Sequence, residues 1–169
     1  MTTQTTAPNP ALAAAAQKNL QAEIAKIKAA PANSHVAQAN QQLLKSSDPT
    51  SSTWAAAGML DVAGLGYYTT SCDLVIVGDG IGGVDFSASG FSWAAVAVEC
   101  EVVGVFVVDP ATVGGSCNFT LVTGAAGEGG VSLTLYSANG TFYGTFAGNA
   151  DGVGGSYITG TGTLTVVES

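Results

Sequence analysis

Residues 78–83 read Gly-Asp-Gly-Ile-Gly-Gly. That spacing, G-x-G-x-x-G, is the dinucleotide fingerprint, in which glycines bring backbone close to a pyrophosphate seated on a helix N-terminus. Glu101, eighteen residues after Gly83, stands near where a ribose-binding acid would belong. The chemistry needs a helix directly after the glycines. The residues that follow, VDFSASGFS, are poor helix formers. The motif also occurs twice. DGIGGVDFSASG at 79–90 aligns with DGVGGSYITGTG at 151–162, an offset of 72 residues throughout. Structural turns in two related halves explain a repeat better than two nucleotide loops do. Gly80, Gly82, Gly83, Gly152, Gly154 and Gly155 are therefore expected to serve turns, bulges or close strand approach, and no nucleotide is expected.

Three other groupings could do chemistry. Glu99 and Glu101 stand two apart on one strand-like run, as a carboxylate pair for acid–base work would. They alternate with a solidly apolar face, which points to a solvated outer surface. Asp79, Asp85 and Asp151 lie on Gly-rich stretches, but their spacing fits neither an EF-hand loop nor a glycine-rich calcium repeat. Solubilising turn acids are the expectation. Cys72, Cys100 and Cys117 are odd in number and lack metal-type spacing. They read as buried thiols packing as small hydrophobes. No catalytic residue, cofactor or metal is expected.

Charge removes further classes. All four Lys, Lys18, Lys26, Lys28 and Lys45, and the single His35 lie in the first fifty residues, and there is no Arg. Residues 51–169 carry ten acids and no cation, so the first fifty residues hold about +2 and the rest −10. Nucleic acid loses its main attraction to such a surface. A Ser-His-Asp or Cys-His site cannot be assembled within it.

The elements that must position these residues fall into two parts, an arm at 1–53 and a glycine-rich domain at 54–169. Pro10 opens a helical pattern in which Leu12, Leu20, Ile24 and Ile27 recur on one side, and Pro31 closes it. A weaker helical stretch, SHVAQANQQLLKSS, places Val36, Ala39, Leu43 and Leu44 together. After Trp54 period-two alternation takes over. In AVAVECEV, Val96, Val98, Cys100 and Val102 face one way, and Ala95, Ala97, Glu99 and Glu101 the other. TFYGTF sets Phe142 and Phe146 on one face. YITGTGTLTV sets Ile158, Leu164 and Val166 opposite Thr159, Thr161, Thr163 and Thr165. Ala138-Asn139-Gly140 marks a tight hairpin. Strands are expected near 58–68, 71–78, 83–91, 94–108, 116–123, 130–137, 141–147 and 154–167. Eight strands predict a closed antiparallel barrel. Phe91 and Trp93 share a face in SGFSWAA. They either join the core or form an exposed aromatic contact for a membrane or partner.

The C-terminal third, VSLTLYSANGTFYGTFAGNADGVGGSYITGTG, resembles the end of the virulence-associated protein (Vap) family of actinobacterial pathogens. The shared features are the LYSANGT-type hairpin, the G-TF-G strand and the closing glycine-rich strand. The resemblance implies a compact mainly β fold, an eight-stranded barrel of two Greek-key-like halves, here preceded by a helical arm. It implies a secreted, non-enzymatic effector that contacts a host membrane or a host protein, and it supplies no catalytic residue. The alternative is a small-ligand-binding barrel of the lipocalin or streptavidin kind. The N-terminus, MTTQTTAPNPALAAAAQ, lacks a cationic start and a Leu-rich block. Export without a classical signal peptide, or a mature form of an exported protein, is the expectation.

Overall fold

The computed structural model describes residues 10–46, 53–77, 81–125, 130–150 and 155–168. Three helices come first: α1 (Pro10–Ala29), α2 (His35–Ala39) and α3 (Gln41–Lys45). Six strands follow: β1 (Trp54–Ile76), β2 (Ile81–Phe106), β3 (Gly115–Ala125), β4 (Gly130–Ser137), β5 (Phe142–Asn149) and β6 (Ser156–Glu168). A short 3₁₀ turn, Pro110–Thr112, separates β2 from β3 and is capped by the Asp109 carboxylate, which accepts from Ala111 N at 2.9 Å.

The strands run β1-β2-β5-β4-β3-β6, and a further β2–β6 pairing closes the antiparallel sheet into a barrel. Eight separate strands are not formed among the described residues. The expected segments 58–68 and 71–78 are one strand, β1, and 83–91 and 94–108 merge into β2. At the expected gap the ladder is unbroken, with Thr69 opposite Ser89 and Thr70 opposite Ala88, and the bend falls earlier. Between Leu65 and Gly66 the register with β2 shifts, yet pairing resumes at Gly66 opposite Ser92. A bulge bends a strand without ending it. β1 doubles back on itself there, so that Val77 N donates to Ala55 O at 2.9 Å. A Cβ at Gly58 would collide with the Asp73 carbonyl, which explains a glycine at this crossing.

Alternation fills the interior. Val98, Cys100 and Val102 are buried, while Ala97, Glu99 and Glu101 are exposed; the side chains of Ala95 and Val96 lie outside the described residues. Ile158 and Leu164 point inward, and Thr159, Thr161, Thr163 and Thr165 point outward. Phe86 meets Phe119 edge-on at 5.1 Å, and Phe106 meets Phe146 at the same distance. Such pairs add about 0.5–1.5 kcal/mol beyond area burial.

One facing was read wrongly. Phe142 and Phe146 do not share a face. A register shift between Leu135 and Tyr136 pairs Gly144 and then Phe142, skipping Tyr143. The extra residue inverts the alternation. Phe146 enters the barrel core, and Phe142 packs outside it with Leu20, Ile24 and Ile27 of α1.

The arm is thus docked on the barrel. Tyr136 Oη donates to Glu23 Oε1 at 2.7 Å, and Asn19 Nδ2 to Ser132 Oγ at 3.4 Å. The second helical stretch divides at buried Asn40. Its Oδ1 accepts from Phe142 N at 2.7 Å, and its Nδ2 donates to Gly140 O at 3.2 Å. Val36, expected on the packed side, is exposed. The 137–141 hairpin forms as expected, with Gly140 at φ +99° and Ser137 N donating to Thr141 O at 2.8 Å. No helix among the described residues is long and apolar enough to cross a membrane.

Candidate functional site

The fingerprint glycines occupy no nucleotide loop. Gly82 and Gly83 lie within β2, which continues as strand to Phe106, so no helix follows them to hold a phosphate. The β2–β6 register shifts between Ile81 and Gly83, and a Cβ on Gly83 would collide with the Leu74 carbonyl across the pair. Gly155 precedes β6 in an open setting. Gly80, Gly152 and Gly154 lie outside the described residues, as do Asp79 and Asp151. The second halves of the two repeats stand side by side, with Ser87 opposite Thr163 and Ala88 opposite Gly162.

Glu99 and Glu101 point outward from β2, opposite Asp61 and Met59. They line no described concavity. Asp73 and Asp85 face each other across β1 and β2. Desolvation, the charge of Asp73 and a hydrogen bond to it raise the Asp85 carboxyl above its usual range. Among the described residues, no group of three or more His, Cys, Asp or Glu is placed to hold a metal ion.

All three cysteines are free and buried. Burial above all, with the nearby charge of Asp73, pushes the Cys72 thiol up to about 12. Burial pushes Cys117 up to about 11, against a backbone hydrogen bond from Gly162 that lowers it. Cys100 is raised by burial as well. Thiols held protonated are neither nucleophiles nor metal ligands at neutral pH.

Two surface features stand out. The first is an apolar apex where β1 bends. Leu65 is 84% exposed and Phe91 88%, and Tyr67 meets Phe91 edge-on at 5.3 Å. Phe91 is therefore not a core residue. Trp93 lies two residues further along β2, and its side chain is outside the described residues. Sequence reading found Phe91 but missed Leu65 and Tyr67, because only the doubled-back path of β1 brings them to one end. The Leu65-Gly66 step beside two aromatics was the available signal.

The second is a concavity of about 1070 Å³ on the outer face of β1, β2, β6 and β3. Hydroxyls cross it in a row, Ser71 opposite Ser87, Ser87 opposite Thr163, and Thr163 opposite Ser116. A neighbouring row holds Thr69 opposite Ser89, and Thr161 opposite Asn118. Asp61 stands at the rim, and Thr70, Ala88 and Gly162 form the floor. These residues come from strands far apart in sequence. The runs Ser87-Ala88-Ser89 and Thr159-Gly160-Thr161 hinted at it, since alternating hydroxyls must share a face.

No protein-family model matches the chain, and no curated protein matches it. Among solved structures the chain is similar to the virulence-associated protein VapB from the intracellular pathogen Rhodococcus equi. The identity is 13% and the TM-score 0.47, over 68% of this chain and 96% of that one.

Proposed function

We propose that this protein is a non-catalytic, Vap-like surface effector that seats its apolar apex in the interfacial layer of a lipid bilayer. One observation carries the reading: Leu65, Tyr67 and Phe91 stand together in solvent at the β1 bend. Aromatic rings with one polar edge suit the headgroup level, where Tyr and Trp concentrate. Burying a side chain of this size contributes about 1.5–3 kcal/mol. With no cation in residues 51–169, the barrel gains nothing from anionic headgroups, so contact rests on apolar insertion. The resemblance of the C-terminal third to the Vap family suggests a host cell as the setting.

The carrier alternative needs an open interior. Phe86, Phe106, Phe119 and Phe146 occupy that space and are each at most 1% exposed.

Co-sedimentation with phosphatidylcholine vesicles tests the reading. The wild-type chain is expected to sediment with the vesicles. The double variant L65S/F91S is expected to lose at least about tenfold in partitioning. Added phosphatidylserine should weaken binding rather than strengthen it. Wild-type protein that stays in the supernatant, or a variant that sediments equally, would overturn the proposal.

A further inference from the structure

We infer that the hydroxyl-lined concavity is a second binding site, one that takes an uncharged carbohydrate chain. Ser71, Ser87, Thr163 and Ser116 form one continuous cross-strand row, exposed on all four strands. Such rows are spaced about 4.8 Å between strands, and successive outward positions about 6.8 Å along them. A hydroxyl donates and accepts at once. A lattice of them complements a ligand that itself presents hydroxyls of both kinds every few ångströms, as a sugar polymer does.

Charge narrows the class. No Lys, Arg or His occurs from residue 51 onward, so sulfate, phosphate and uronate groups find no counter-charge. Asp61 at the rim repels them. Shape agrees. The concavity, about 1070 Å³, lies just above the usual range for small-molecule sites, about 300–1,000 Å³, as room for a chain of sugar units requires. Its floor is the inward row of Thr70, Ala88, Gly162 and Cys117, where small side chains let strands approach closely. A Cβ at Gly162 would lie 2.6 Å from the Ser87 carbonyl.

The site ends one row short of Tyr67 and Phe91, so it can be separated from the membrane apex by mutation. The experiment is isothermal titration of the full chain with cellohexaose, with N-acetylchitohexaose and with an anionic hexagalacturonate. At least one neutral hexasaccharide is expected to bind saturably, and the hexagalacturonate is not. S87A/T163V and, separately, S71A/S116A should each weaken binding by about tenfold or more, with unchanged thermal melts. F91S should bind as wild type does, even if its vesicle binding is lost. The inference falls if neither neutral chain binds up to millimolar concentration, or if the anionic one binds equally. It also falls if both folded double variants bind undiminished, or if F91S alone abolishes binding.

Discussion

The thiols bear first on how the molecule behaves in a redox environment. Cys72 is buried, with its thiol pushed up to about 12, and Cys117 with its thiol up to about 11. Ellman's reagent at pH 8 should therefore titrate none of the three in the native protein and all three after denaturation. Rapid native labelling would contradict the packing described. The sign of the pH effect follows. A thiol whose folded value is raised contributes stability that is fully present below its unfolded value near 9 and lost as pH rises toward the folded one. The melting temperature should fall between about pH 9 and 12 for this reason, and C72A should flatten that decline. The Asp73–Asp85 pair works in the same direction at acid pH. Asp85 is raised, so the protonated form is favoured in the fold, and stability is lost as pH rises through the folded value. D85N should raise the melting temperature at pH 7 and have little effect below about pH 4. A lower melting temperature for D85N at pH 7 would show that the pair is not repulsive.

At the scale of elements, the arm was legible as a helix, but its docking was not. Leu20, Ile24 and Ile27 recur at helical spacing, so the packed stripe could be read directly, and the structure buries all three. What they pack on depends on the bulge at Tyr143, which turns Phe142 outward. No residue-by-residue alternation anticipates that, because one extra residue in a ladder leaves no mark in composition. The barrel lacks Lys and Arg, so trypsin can cut only at Lys18, Lys26, Lys28 and Lys45 and reports on the arm alone. I24A should weaken docking by about 2–5 kcal/mol. It should speed cleavage at Lys26 and Lys28 while leaving residues 46–169 as an intact fragment. Unchanged cleavage rates would mean that the arm is held by other contacts.

For the molecule as a whole, period-two alternation after Trp54 was enough to establish a mainly β closed barrel. The last four strands fall within two residues of where they were expected, but the division of the first two was not recoverable. Breaks were expected at 69–70 and 92–93, where hydroxyl and aromatic residues interrupt the apolar alternation, whereas the register shift falls at Leu65-Gly66, inside an expected strand. In the fold residues 69–70 are paired ladder, and β1 and β2 each run through as one strand. The concave site was hidden for another reason: Ser116 joins Ser71 and Ser87 only when β6 is laid between β2 and β3.

That last placement has a consequence for the order in which the chain folds. β6 closes the ring by joining β3 to the beginning of β2, with Glu168 opposite Ile81 and Leu164 opposite Gly115. A nascent chain can zip β1 against β2 as a local hairpin. Closure waits until β6 is available to pair with both β3 and β2, since long-range pairing comes late. Up to that moment it is an open sheet with two unsatisfied edges, the state in which pairing with another chain is easiest.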